Sequence, residues 1–436
     1  MLTDVRDGRA GTAVLPGDPG WGENPAMYPP IGEPAVIVRP ETPAQVAAAL
    51  RFAADEGLGV AVRAGGHGSR AFDNSGGLVI DLAHFAGVSV EGRTVRVGPA
   101  AVWGEVAAAL APHSLGISSG DTTSVGVGGL TLGGGVGWLV RTQGLALDSL
   151  VGATVVVPSG EVLTASADEN PELFWALRGG GGNFGVVTEF VFEAHPLDGV
   201  VFGQIHYDPA RLGDALRGWR DVMREAPDEL NGSFLAMPAM GPEMPAGTSL
   251  TVIWAGRDAA AEPWLARLRA VAGYVSDDIA AIDYTDSLDE PAHFDGPPPT
   301  IVGANAFADD LSDAAIEAFL EAHAAIGGVF MIRYLGGAYG RVPADATAWS
   351  ARGAEAWVMV AGFLPPGADA AAQSEVRAKW APALPFVHGT YGNFADESGD
   401  ATLALMYPPA TLERLRAVKR QHDPGNLLSR NQNIAP

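Results

Sequence analysis

Short apolar runs and helical repeats alternate along the first part of the chain. Residues 34–38 form an apolar run that predicts a strand. A helix start follows, with Thr42 as N-cap, Pro43 in the first turn and Gln45 completing a capping box. Val46, Leu50 and Ala53 recur at helical spacing as its buried face, and Gly57 ends it. Apolar runs at 59–62, 78–82 and 94–98 read as further strands, and Trp103–Leu110 as a helix. Residues 151–163, VGATVVVPSGEVL, predict two strands around a Pro-Ser-Gly turn, and 172–177 a short helix. The character changes after Leu197: strands such as 249–254 alternate with helices at 313–326 and 370–380, a pattern suited to an antiparallel sheet backed by helices with one face uncovered. A last helix at 411–421 closes on the turn His422-Asp423-Pro424-Gly425-Asn426. The fold class is α+β, and residues 1–33, rich in Gly, Pro and Asp, read as an irregular arm over the body.

Three glycine-rich stretches interrupt this pattern. The first, VRAGGHGS at residues 62–69, leaves a buried strand and enters a turn where Gly65, Gly66 and Gly68 carry no side chain to block a ligand. Backbone N–H groups pointing outward from such a turn form an anion cradle, and charge-assisted hydrogen bonds of this kind contribute roughly 1.5–3 kcal/mol each. His67 sits within it; alone, the Gly-Gly-His tripeptide is also compatible with a tight turn bearing a solvated imidazole. The second stretch runs from Ser118 to Gly137 and the third from Leu177 to Val187. So many glycines beside β-branched residues cost conformational entropy, which predicts a backbone lying close against one large flat ligand.

Composition narrows the function. With 436 residues, 47% of them hydrophobic, the chain can bury a large core and divide into two domains. A formal net charge of −24 argues against nucleic-acid and anionic-membrane partners, which require Lys and Arg to neutralise phosphates. The absence of cysteine excludes disulfides, thiolate metal sites and a cysteine nucleophile. The N-terminal segment is charged where a secretory peptide needs an apolar core, and no apolar run reaches membrane-spanning length, so a cytoplasmic location is expected. Asp81 reads as a strand-end carboxylate, solvated or bonded to a turn, and His84 and His113 as isolated surface or turn residues. No group of residues has metal-ligand spacing. Tyr334 and Tyr339, with Arg333 on a glycine-bearing strand, fit either an aromatic sheet face or a pocket.

The strings VRAGGHGS, SVGVGGLTLGGGVGW, ALRGGGGNFGVVTEF and HDPGNLLSRNQNIAP, taken in order, resemble the FAD-linked oxidases of the vanillyl-alcohol oxidase superfamily, in particular the berberine-bridge-enzyme-like branch. The resemblance spans about Pro34 to Pro436 and implies a discontinuous FAD-binding domain, residues 1–198 and 400–436, around a substrate domain at 199–399. It implies a covalent bond from His67 to the 8α-methyl group of FAD. Cofactor contacts are expected from Arg63, Ala64, Gly65, Gly66, His67, Gly68, Ser69, Thr122, Val125, Gly126, Gly129, Gly133, Val187, Asn431 and Asn433. Thr122 stands where many members carry a cysteine making a second tether, so a single attachment is expected. Val125 falls at the position governing oxygen access, where valine accompanies oxidase behaviour, and it also fits a plain core position.

The activity implied is hydride transfer from a small hydroxylated or amine metabolite to the flavin, reoxidised by molecular oxygen to hydrogen peroxide. Plant members use the last tyrosine of a Tyr-x-Asn-Tyr string as base; here the string is Tyr391-Gly392-Asn393-Phe394, and Phe394 accepts no proton. Tyr391, Tyr334, Tyr339 and His388 are the candidates left for an alcohol substrate, whereas a neutral amine needs no base. An oxidative cyclase or dehydrogenase of secondary metabolism, or a flavin-binding protein without catalysis, are the alternatives. On its own, the Asn431-Gln432-Asn433 string is equally a polar tail.

Overall fold

The computed structural model describes residues 8–21, 32–68, 74–239, 246–289 and 299–436. Strand Leu78–Asp81 lies between Val36–Arg39 and Val60–Arg63, parallel to both. The link between the outer two is the helix Pro43–Glu56, with Thr42 Oγ1 accepting from the Gln45 amide and the Gln45 side chain accepting from the Glu41 amide. Val46, Ala47, Leu50 and Ala53 form its buried face, and Gly57 closes it in the left-handed region at φ 67°. The N-terminal arm is more regular than its composition suggests: Thr12–Val14 adds an antiparallel edge strand to Val36–Arg39, burying Val14.

A second sheet is antiparallel, in the order Val88–Glu91, Thr94–Val97, Val186–Glu193, Leu150–Val156, Val162–Ser166. Its core gathers Trp103, Val106 and Leu110 of the helix Trp103–Leu110 with Phe174, Phe184, Phe190 and Phe192. Leu415 and Val418 of the C-terminal helix Pro409–His422 enter the same core, so the last segment of the chain returns to the first part.

The third sheet has eight strands. Seven lie in the order Tyr274–Asp277, Val200–Tyr207, Gly247–Ala255, Leu230–Met237, Val329–Tyr334, Ala356–Leu364, Thr300–Ala308, and Ala280–Ile282 pairs with the second of them. Strand alternation separates its two faces. Phe234, Leu250, Phe330, Ile332, Val358 and Val360 pack beneath Trp219 of helix Leu212–Glu225 and Phe319 of helix Asp313–Ile326. The opposite face meets the first part of the chain: Ile253 and Phe202 pack with Trp138 and with Ala107 of helix Trp103–Leu110. Cross-strand register aligns Leu235, Met331, Met359 and Asn305 in one row on it, and Ser233, Arg333, Trp357 and Phe307 in the next. This face meets the second glycine stretch: Arg333 reaches Asp121 and the Val136 carbonyl, and Asn231 Nδ2 donates to the Trp138 carbonyl. The architecture is α+β, with the two smaller bodies of sheet and helix roofed by a helix-backed antiparallel sheet.

Candidate active site

The first cradle begins where strand Val60–Arg63 ends. Gly66 adopts φ 70°, and Arg63 folds over it, its Nε 3.0 Å from where a Cβ on Gly66 would stand. Gly65 meets Gly126 of the second stretch backbone to backbone, an added Cβ on Gly65 lying 2.5 Å from the Gly126 Cα. Ala64 packs on Gly128, whose Cβ would stand 3.2 Å from the Ala64 methyl. Gly68 is exposed, and Ser69 lies outside the described residues.

The second stretch departs from the expected open loop. Residues Val127–Gly133 form a helix with Gly126 as N-cap. Most of its glycines admit protein rather than ligand: a Cβ on Gly133 would strike Asn393, one on Gly134 would strike Trp349 and Tyr391, and one on Gly137 the Ser119 carbonyl. Gly129 faces open space. The glycines thus let several segments cross at van der Waals distance, while the turn Thr122–Val125 stays half-buried. Val125 packs against the core through one side, which accommodates both expectations for it. Val187 is 3% exposed and its side chain belongs to the core, leaving only its backbone for a ligand.

Asp81 takes the second of its expected roles, bonded to a turn: it accepts from the Ala83 amide at 3.3 Å. It is also buried and pairs with Arg39 at 3.1 Å, an ion pair that fixes the strand end. His84 and His113 are exposed, as expected. Among the described residues no cluster could hold a metal.

The C-terminal string is held by a device the sequence did not reveal. Lys419 and Asp423, 0% and 1% exposed, pair at 2.7 Å, and Lys419 Nζ also donates to the carbonyls of Asn183 and Leu428. Asp423 accepts from the amides of Leu427 and Leu428. Asn183, in the third glycine stretch, accepts from the Ile434 amide and donates to the Gln432 carbonyl. The i,i+4 spacing of Lys419 and Asp423 is the one signal that was available; their complete burial was not.

Several polar atoms of the glycine stretches and of the C-terminal string have no partner. His67 Nε2, the hydroxyls of Ser118 and Ser124, Asn431 Oδ1, Gln432 Oε1 and Asn433 Oδ1 are buried and meet no hydrogen-bonding group. Buried polar atoms are normally paired, so such a collection marks a place for a polar ligand. Burial lowers the pKa of His67, opposed by its own backbone carbonyl and by Asp121, so the imidazole is neutral near pH 7 and its ring nitrogen available.

On the roof, Arg333 is 2% exposed, pairs with Asp121 at 2.7 Å and lies 4.5 Å over the Trp138 ring. Burial would push the Asp121 carboxyl up, but the Arg333 guanidinium overcomes this and holds it below the usual carboxylate range. Thr122 Oγ1 donates to Asp121 at 3.0 Å, linking the expected tether position to this pair.

The candidate tyrosines occupy three different places. Tyr391 lies against the second glycine stretch: its hydroxyl oxygen accepts from the Gly135 amide at 2.9 Å and from Asn393 Nδ2 at 3.0 Å, and Trp349, Trp357 and Phe394 surround its ring. Burial raises its pKa, while the Gly135, Asn393 and Val136 donors pull it down less strongly. Asn305 fixes this corner, accepting from Trp357 Nε1 and the Tyr391 amide. Tyr339 is buried, its hydroxyl donating to the Ala351 carbonyl and accepting from Trp349 Nε1. Tyr334 lies on the helix-covered face beside Trp219 and bonds Glu355, on the opposite side of the sheet from its neighbour Arg333. His388 pairs with Asp309 at the surface.

Comparison with known proteins accounts for this arrangement. Residues 34–166 match the FAD binding domain family. (R)-6-hydroxynicotine oxidase of Paenarthrobacter nicotinovorans is 32% identical over 440 residues, covering 92% of this chain and 91% of the relative. Among solved structures, 6-hydroxy-D-nicotine oxidase from Arthrobacter nicotinovorans superposes with a TM-score of 0.83 at 29% identity over 98% of both chains. Glucooligosaccharide oxidase from Acremonium strictum, whose FAD is described as 6-S-cysteinyl and 8α-N1-histidyl, shares the fold with a TM-score of 0.84 at 23% identity, over 100% of this chain and 99% of that one. The chain belongs to the FAD-linked oxidases of the vanillyl-alcohol oxidase superfamily; a berberine-bridge-enzyme-like protein of Physcomitrella patens shares its fold at 23% identity with a TM-score of 0.86. It is an FAD-dependent oxidoreductase of the oxidase type.

Proposed function

We propose that this oxidase carries its FAD on a single covalent bond from His67 and oxidises a small, largely apolar amine or alcohol, with molecular oxygen as acceptor and hydrogen peroxide as product. The observation that carries the reading is the orphaned, neutral imidazole of His67 beside the crossing of Gly65 and Gly126. A neutral ring nitrogen is the nucleophile that attachment requires. Thr122 has no thiol for a second bond, and its hydroxyl is committed to Asp121.

The remaining orphaned atoms suit the cofactor's chemistry. Asn431, Gln432 and Asn433 would offer acceptor oxygens to N–H and hydroxyl groups of the cofactor, and Ser118 and Ser124 would offer donors. Bound FAD supplies the two-electron redox chemistry; the chain supplies position, electrostatics and exclusion of water.

Two features favour an apolar substrate. The row Leu235, Met331 and Met359 is half-buried on the sheet face that meets the second glycine stretch, and Phe394, 44% exposed, adjoins Trp357. The polar groups near it are already engaged: Asn305 bonds Trp357, Tyr391 and Phe394, and Arg333 bonds Asp121. A sugar would bury hydroxyls here that find few free partners. Among the candidate bases, Tyr391 alone stands at the site, and its oxygen already accepts from N–H donors, which favours a neutral amine whose lone pair drives hydride departure.

Acid precipitation of the purified protein tests the attachment. A pellet that stays yellow and fluoresces on the tryptic peptide containing His67 is expected, and a colourless pellet over a yellow supernatant overturns it. Anaerobic bleaching of the flavin by a panel of cyclic amines, but not by oligosaccharides, is the expected substrate result.

A further inference from the structure

The face of the eight-stranded sheet that meets the second glycine stretch carries two methionines side by side. Met331 and Met359 are direct cross-strand partners in the row between Leu235 and Asn305, and both are half-buried. They pack on the cluster of Tyr391, Trp349 and Trp357, one residue pair away from Arg333, which bonds Asp121 in the glycine stretch. Neither thioether is needed to fill a sealed core. The residues covering the other side of the same strands, Phe330, Ile332, Val358 and Val360, are fully buried and contain no sulfur.

Their position is chemically exposed as well. The chain has nine methionines and no cysteine, so thioethers are its only sulfur nucleophiles. The proposed reaction forms peroxide beneath the roof, and the thioethers on that face that pack on the Tyr391 cluster are those of Met331 and Met359. We propose that Met331 and Met359 are the site of self-inflicted sulfoxidation by peroxide formed at the active site. The inference rests on the oxidase reading given above. In the reaction the thioether sulfur attacks peroxide, the O–O bond breaks, an S–O bond forms and water leaves; sulfur is oxidised by two electrons and peroxide reduced by two. The oxidant is the enzyme's own product. The modification turns two flexible apolar side chains into polar ones and so makes the pocket roof less receptive to an apolar substrate with successive turnovers.

Cycles of anaerobic photoreduction and readmission of oxygen generate peroxide at the bound flavin without knowledge of the substrate. Catalase in the solution removes peroxide that escapes. Peptide mass spectrometry after many cycles is expected to show a gain of about 16 Da on the peptides carrying Met331 and Met359. Met223, buried in the helix-side core, serves as the inert control, and Met237, half-buried on the same face but outside the Tyr391 cluster, as the positional one. Oxidation that catalase abolishes, or that falls equally on Met237, overturns the proposal, as does a chain left unmodified after many cycles. In the double variant M331L and M359L the extent of flavin photoreduction per cycle and the intact mass are expected to stay constant over more cycles than in the parent. A preparation lacking flavin absorbance refutes the underlying oxidase reading instead, so the two failures are distinguishable.

Discussion

The backbones of Gly65 and Gly126 touch: a Cβ added to Gly65 would lie 2.5 Å from the Gly126 Cα, and one added to Gly126 would lie 2.5 Å from the Gly65 amide nitrogen. Both partners are main chain, so neither can give way by turning a rotamer. Gly65→Ala or Gly126→Ala therefore forces the two loops apart, at an overpacking cost of about 1–3 kcal/mol. Each variant is expected to melt lower and to be purified with substoichiometric flavin. Gly129→Ala, where a Cβ meets nothing, is the contrasting substitution and should retain the parent melting temperature. Differential scanning fluorimetry with the ratio of flavin to protein absorbance checks all three.

His67 is half-buried and contributes no hydrogen bond to another element through Nε2. His67→Ala should consequently fold, with circular dichroism and solubility unchanged, but release all its flavin on acid treatment. Loss of the bond is expected to weaken oxidation without abolishing it. An unchanged acid-stable chromophore in this variant would place the linkage elsewhere.

The Arg333–Asp121 pair is asymmetric, and the asymmetry is measurable. The arginine side chain is 2% exposed and that of the aspartate 36%. Removing one partner of a buried pair costs about 3–5 kcal/mol because an uncompensated charge remains. Asp121→Asn strands a cation out of reach of water, whereas Arg333→Met leaves a carboxylate that water can reach. Asp121→Asn is therefore expected to be the more destabilising, and the double variant to recover part of the loss. Equal losses with simple additivity in chemical denaturation would show that the two groups are not coupled.

Local structure was legible wherever it depended on nearest neighbours. The capping of Pro43–Glu56 by Thr42 and Gln45, the hairpin around Pro158-Ser159-Gly160, and the helix Asp313–Ile326 follow from cap and turn chemistry that acts within four residues. The glycine stretches were legible as a family signature, but their physical role was half hidden. Gly126, Gly133 and Gly134 admit Gly65, Asn393 and Trp349, contacts across tens to hundreds of residues that no local pattern encodes. Long-range pairing hid the rest of the site for the same reason. Lys419 and Asp423 stand at i,i+4, a spacing usual on exposed helix faces, yet both are fully buried. Tyr334 and Arg333 read as one aromatic, cationic patch, yet strand alternation sends them to opposite faces.

Tyr391 yields a prediction about pH. Burial raises its pKa above the ordinary phenol value near 10, and the amide donors of Gly135, Asn393 and Val136 offset only part of that rise. The phenol is thus neutral throughout the neutral range, its oxygen already occupied as an acceptor, so it orients a neighbour rather than removing a proton. Substrate oxidation should then show no ascending limb from Tyr391 between pH 6 and about 9; any ascending limb belongs to the substrate amine losing its own proton, and must move with the substrate's pKa. Tyr391→Phe deletes the hydroxyl that receives these N–H groups. It is expected to leave the shape of the profile intact while lowering kcat, and to cost about 1–3 kcal/mol of stability because buried donors lose their partner. Stopped-flow flavin reduction of parent and variant with two amines of different basicity decides the matter: an ascending limb that is identical for both amines and vanishes in Tyr391→Phe would make Tyr391 the base.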